Sequence, residues 1–531
     1  MPRQALFTAL IVLLAPPSLV AQAPGDSVPV VSRITLDRRN IFDDSDRSWV
    51  TRIVNRLHIR TQASVIRREF LFRTGEPYDS ALVAETARNL RRFGVFRDVS
   101  IDSVRTDSGV TVAVTTRDGW STRPDFRFRS TGGSIVYTAA LIEDNLLGTA
   151  TQTQVLYRKD PDRTTTILGF RKRRLFAGKV GVAATFFNRS DGELFNATTS
   201  YPFFSLTSPF GGSVTFDTRR ERVLRFRGGL ADTASDTLQR RYVLGRVEAA
   251  RALRASSAGY LRAGVLAQLR RDDYAGQTVY DAVGLARTVT GAVGGFTEWR
   301  QAKFLEVEGY ESFGRSEDVD LSRVIRFSVL LAPRAFGYDR DGVAPGIAMH
   351  AGRSFGGGFG VADVAASGLF SSAGLDSGQV YLGLTAVFLP SSRHHVVVHA
   401  DVGALSRPAP GSEFDLGLGT GPRAFQEHAF TGDRQYTATA EYRYTVARDF
   451  LDVTGIGLAG FVDHGGAWWQ GEKRRTGWDA GIGVRLGASR APDQEATRID
   501  IARRFATDRE PAGWVLVVGK GFTFSTSTRS R

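Results

Sequence analysis

Between Gly421 and Leu486 the side chains alternate, and this alternation restricts the chain's possible folds more than any other property it has. Thr437, Thr439, Glu441 and Arg443 interleave with Ala438, Ala440, Tyr442 and Tyr444, a period of two that reads as a strand. From Gly455 to Asp463, Ile456, Leu458 and Val462 share one face and Gly455, Gly457, Ala459 and Asp463 the other, with Phe461 the exception on that second face. Trp478, Ala480, Ile482, Val484 and Leu486 then alternate with Asp479, Gly481, Gly483 and Arg485. A soluble sandwich would bury such an apolar face in a core. The aromatics point elsewhere: Tyr436, Tyr442 and Tyr444 stand near the two ends of one apolar face, where a membrane strand carries amphipathic rings at the two interfaces. The polar, glycine-rich face suits the inside of a wide barrel.

The rest of the chain agrees with a membrane barrel. Its 531 residues exceed one ordinary soluble domain, and they include 57 glycines and no cysteine, which excludes disulfides, thiolate metal sites and a lipid-modified N-terminal cysteine. The net charge of +14 would suit nucleic acid, but the arginines are scattered through alternating segments and form no basic block, so no nucleic-acid partner is expected. Met1 to Ala23 (residues 1–23) reads as a secretory signal peptide, with Arg3 as its charge, Ala5 to Leu14 as its short apolar core, and cleavage after Ala21 or Ala23. No later segment has the apolar length of a spanning helix, which leaves a closed barrel as the route into lipid.

Residues 28–118 have a different texture. Val31 to Leu36 alternates as a strand, Ser48 to Leu57 and Ala63 to Leu71 read as helices, and Asp79-Ser80 caps a helix carrying Leu82, Val83, Ala87, Leu90 and Phe93 that ends at Gly94. Val99 to Val104 and Val110 to Thr116 then form a hairpin about Asp107 to Gly109, which completes a small α+β module. The runs Gly75 to Asp79, Leu90 to Val99 and Val110 to Val114 resemble the second half of a POTRA domain, although Asn40 to Ala63 is longer than that pattern allows. The resemblance implies a periplasmic domain that takes up client polypeptide by adding a strand to a sheet edge.

Residues 119–531 read as the outer-membrane barrel. About 410 residues follow Trp120, enough for about 16 strands with their turns. The turn Glu143 to Gly148, the turn Tyr201 to Phe204, the loop Pro422 to Phe425, the strand Phe461 to Gly465 and the strand Gly477 to Leu486 occur in the order of the BamA/TamA family, which this chain resembles. By that resemblance Arg423 and Phe425 tip a long extracellular loop that folds back into the lumen, and Glu441 and Asp463 stand on the lumen face as candidate carboxylates for the Arg423 guanidinium. Pro422 and Ala424 depart from the residues usual at that tip. The resemblance also implies a lateral gate between the first strand, Pro124 to Arg129 with Arg127 and Arg129, and the last, Trp514 to about Ser525 with Gly519, Gly521, Phe522 and Phe524. A short, charged first strand that offers few ladder bonds, and two glycines in the last, make this pair the expected weak point of the barrel.

The function so implied is insertion of client proteins into the outer membrane or their translocation across it, with two-partner secretion and a passive solute channel as alternatives. The expected partners are unfolded outer-membrane or secreted polypeptides at the module's edge, outer-membrane lipid and accessory proteins. No cofactor, no metal and no catalysis are expected. His395 and His399 share the polar face of one strand, Gly352 to Gly360 lacks the Lys-Ser or Lys-Thr of a phosphate loop, and no G-x-S-x-G motif is present.

Overall fold

The computed structural model describes residues 29–43, 49–131, 134–175, 178–226, 236–275, 288–313, 316–417, 420–451, 454–489 and 495–520. The signal-peptide reading, its cleavage point, Gly521, Phe522, Phe524 and the last residues lie outside these ranges.

The N-terminal unit is a three-stranded sheet backed by helices. Gly109–Asp118 is its central strand, parallel to Val31–Arg39 on one side and antiparallel to Phe96–Thr106 on the other. Three helices, Trp49–Leu57, Ala63–Arg67 and Ser80–Arg91, precede the hairpin. Asp79 caps the third, accepting from the Ala81 N–H at 2.7 Å, and Gly94, at φ 70°, turns the chain into the next strand. Val31, Ile66, Leu90, Val112 and Val114 bury their side chains between the layers, each contributing about 1.5–3 kcal/mol. The second helix stops at Arg67, short of the expected Leu71. Beyond it Glu69 pairs with Arg174 and the Leu71 N–H donates to the Thr86 hydroxyl, so both take partners outside the helix.

Twenty of the remaining strands close into an antiparallel barrel, which corrects the expectation of about 16. The reason lies in the connections. Arg189 to Gly192, Ser256 to Gly259, Phe355 to Gly358, Ser371 to Gly374 and Ser391 to His394 are joined by two-residue links, and the first six strands have only nine or ten residues each. Less chain in the links leaves room for more strands. Along Thr454–Trp468 the alternation is resolved as expected: Leu458 and Val462 are exposed outward, and Gly455, Gly457, Ala459, Phe461 and Asp463 are buried inward. Phe126, Leu141, Phe216, Val265, Phe327, Leu384 and Ile482 add to the apolar outer surface.

The first barrel strand, Thr122–Thr131, leaves the N-terminal unit directly, which fixes the two ends of the barrel. The unit is docked at the near end. The Asp118 carboxylate accepts from the Thr61 N–H at 2.7 Å and hydroxyl at 3.0 Å and lies 3.0 Å from His58, and the Asn145 amide of the first near-end turn donates to the Thr61 hydroxyl at 2.9 Å. Two excursions fold into the barrel. The near-end link after Thr288–Gln301 forms a hairpin, Phe304–Glu308 with Ser316–Asp320, and the far-end loop between His394–Ser406 and Arg434–Phe450 forms a shorter one, Phe414–Leu416 with Phe430–Gly432.

Candidate functional site

The far-end loop places its tip against the inner wall. Gly421, at φ 85°, makes the turn that a side chain would strain, and Arg423, Ala424 and Phe425 are then fully buried. Arg423 grips Asp463 with two donors, Nε to Oδ2 at 2.6 Å and Nη2 to Oδ1 at 3.1 Å, while its Nη1 reaches Glu441 at 3.3 Å and Asp500 at 3.0 Å. Its guanidinium carbon lies 3.6 Å from the Phe461 ring centre, so the one aromatic that broke the polar face is the platform beneath the cation. The Ala424 N–H donates to Asp479 at 3.0 Å, and the Phe425 ring fills the space over Gly477, where a Cβ would come within 2.2 Å of it.

The network extends beyond the residues expected from sequence. Arg485 bonds Asp500 at 2.5 Å and Glu441 at 3.0 Å, Arg443 bonds Glu441 at 2.6 Å, and Arg498 lies 3.8 Å from Asp500. Four arginines thus face four carboxylates, Asp463, Glu441, Asp479 and Asp500, on neighbouring strands. Their signal was in the alternation itself. Asp479 and Arg485 sit on the polar face already recognised, and Arg498 and Asp500 follow the same parity on Thr497–Arg504.

The seam lies beside this network. Thr122–Thr131 and Gly513–Lys520 pair at three positions, Phe128 with Val518, Arg129 with Val517 and Ser130 with Leu516, the fewest of any neighbouring barrel strands among the described residues. The first strand is not short, however: its ten residues equal those of its partner Ser134–Glu143. Arg127 pairs with Asp125 at 3.0 Å, and Lys520 reaches Asp125 across the seam at 3.3 Å. Trp514 faces outward and is exposed. Gly519 gives room to Arg498, whose Nε would lie 2.9 Å from a Cβ there, so this glycine seats an inner cation as well as lightening the strand.

The loop spans that seam from inside. On the C-terminal side Ala424 binds Asp479 and accepts from Arg504 at 3.3 Å, and the Gln426 N–H reaches Glu510 at 3.4 Å. On the N-terminal side Glu427 accepts from Arg158 at 3.3 Å, and His428 bridges Asp162 at 3.0 Å and Asp415 at 2.6 Å while stacking on Phe226. Burial disfavours the His428 cation, but the two carboxylates outweigh it and push the imidazole up to about 10. Burial, reinforced by Asp160, pushes Glu427 up to about 7 against the pull of Arg158. His395 and His399 stand on the inner face, His399 between Thr385 and Asp401 at 2.8 Å each, and no metal-ligating cluster occurs among the described residues.

A closed barrel with an apolar outer belt, a charged lumen and an inward loop defines a transmembrane β-barrel of the outer-membrane type. No family model and no curated protein matches the chain. Among solved structures it is similar to BamA from Haemophilus ducreyi lacking POTRA domains 1–3, at 12% identity over 92% of this chain and 85% of that one, with a TM-score of 0.37. It is also similar to CdiB from Escherichia coli, at 11% identity over 93% and 77% of the two chains with a TM-score of 0.45. For CdiB from Acinetobacter baumannii the values are 10%, 92%, 73% and 0.44.

Proposed function

We propose that this chain is an outer-membrane barrel of the BamA/TamA kind that inserts or exports client polypeptides through its lateral seam, with the N-terminal unit acting as a periplasmic POTRA domain. The observation that carries this reading is the seam, paired at three positions among the described residues and clasped from the lumen by the loop at Arg423 to His428. Unpaired backbone groups in lipid cost several kcal/mol each, so a strand edge left short of partners favours an incoming strand. The N-terminal unit supplies a second edge, Phe96–Thr106, whose outer side pairs with no strand among the described residues and can hold a client by strand addition. A passive solute channel fits less well, because a loop and a hairpin occupy the two ends of the lumen. Export in the two-partner manner would use the same edge and clasp.

The test places a photoreactive residue on the lipid-facing side of the seam, at Phe126 or Leu516, and a control at Phe327 on another part of the wall. With an outer-membrane client folding into the same vesicles, cross-links form at the seam positions and not at Phe327. Equal yields at all three would contradict a seam route.

A further inference from the structure

The near-end hairpin is anchored in three directions. Tyr310 packs edge-on against Phe359 at 5.3 Å, within a buried cluster of Val307, Leu321, Val387 and Val397 drawn from the hairpin and the inner wall. At the tip, the Phe313 ring lies on three glycines of the facing wall. A Cβ at Gly455, Gly457 or Gly487 would fall 2.2, 3.1 or 2.6 Å from it, and Gly455 and Gly487 are ladder partners, so two adjacent strands are hollowed at one level. The Ala496 N–H donates to the Glu311 carbonyl at 3.2 Å, and Arg443 donates to the Tyr310 carbonyl at 3.2 Å while holding Glu441 of the loop network. Glu317 gathers the Glu311 N–H, the Ser312 N–H and the Ser312 hydroxyl at 2.7–2.9 Å, which holds the chain at Glu311 and Ser312 to the second strand of the hairpin.

The third anchor comes from outside the barrel. Arg91, in the last turn of helix Ser80–Arg91, binds Asp318 with Nε and Nη2 at 2.7 Å each and lies 3.5 Å from Glu306. Arg88, one turn back, stacks over Phe304 at 4.5 Å. Between the unit and the hairpin lies a polar cavity of about 740 Å³ bordered by Arg91, Arg173, Gln152 and Asp318. The hairpin thus has open space on the side of the N-terminal unit and a fitted seat on the other.

We propose that the hairpin of Phe304–Glu308 and Ser316–Asp320 is a movable plug of the lumen, seated by Phe313 on the glycine hollow and latched by Arg91, so that displacement of helix Ser80–Arg91 unseats it. Through Arg443 and Glu441 the plug shares a partner with the loop that clasps the seam. A polypeptide engaged by the N-terminal unit therefore acts on the barrel interior through the contacts of Arg91 and Arg88 with the hairpin. This inference extends the proposed function, yet it is tested without any client.

Thr445 lies beneath the tip, buried beside Phe313 and Gly457, and the chain has no other thiol once Thr445→Cys is made. In lipid nanodiscs the full chain carrying Thr445→Cys is treated with a small charged thiol reagent, and the labelling rate is read. Labelling is slow when Arg91 and Asp318 are intact, and Arg91→Ala speeds it about tenfold, as expected for losing a charge-assisted pair. Phe313→Ala speeds it as well, and combining Arg91→Asp with Asp318→Arg makes it slow again, which a general loosening of the fold would not do. His395→Cys, on the neighbouring strand and against Gly309 of the hairpin, gives the same ranking and guards against a local effect of the Thr445 change. Unchanged labelling in Arg91→Ala, or fast labelling that persists in the charge-swapped variant, would overturn the latch. Unchanged labelling in Phe313→Ala would overturn the plug.

Discussion

Arg423 meets carboxylates from three strands, and its side chain is out of contact with solvent. Replacing it with alanine strands Asp463 and weakens the holds on Glu441 and Asp500, which costs about 3–5 kcal/mol where charges cannot be rehydrated. The expected result is a lower urea midpoint for Arg423→Ala, followed by the loss of heat-modifiable migration on a gel, and only partial recovery in Arg423→Lys, which lacks the planar fork. An unchanged midpoint would mean these charges are solvated. A second residue-scale prediction concerns pH. His428, raised to about 10, contributes fully below its ordinary value near 6.5, and that contribution is lost as pH rises toward 10. Glu427, raised to about 7, binds a proton more readily in the fold than in the unfolded chain, so it too loses stabilisation as pH climbs from its ordinary range toward 7. Both slopes have one sign. A spin label at Thr420→Cys should gain mobility between pH 6 and 10, and a flat response across that range would remove the His428 bridge from the account.

At the scale of elements, what could be read early was what repeats at short range. The period of two in residues 436–486 placed Glu441, Asp463, Asp479 and Arg485 on one face before any fold was known, and the structure turns that face inward. The helix of Ser80–Arg91 was legible from its Asp79 cap and its apolar spacing. Strand number was not, because two-residue links leave no composition signal of their own between alternating segments. Gly455 and Gly457 read as generic small residues of the polar face; their purpose, shared with Gly487, depends on Phe313, more than a hundred positions earlier, and no local pattern carries that. Phe461 broke the alternation for a reason visible only once Arg423 lay over it. The same long-range logic makes a prediction at Gly477. A valine there meets the Phe425 ring and must expel it, so Gly477→Val should free the loop tip and speed tryptic cleavage after Arg423. Cleavage no faster than in the parent chain would show that the ring is not what seats the tip.

For the whole molecule, the loop, the plug and the seam form one connected interior. Arg423 joins the loop to Asp463 and Glu441, Arg443 joins Glu441 to the hairpin, and Arg91 joins the hairpin to the N-terminal unit. Among the described residues, the seam they surround is held by three ladder positions, the Lys520 to Asp125 contact and the loop clasp. If clients pass through it, closing it covalently must stop them. The direct measurement is a disulfide between Ser130→Cys and Leu516→Cys, ladder partners in a chain with no native cysteine, followed by a client-insertion assay in vesicles before and after reduction. Insertion should be lost in the oxidised barrel and return with reductant. An oxidised barrel that inserts or exports clients as fast as the reduced one would contradict the seam route.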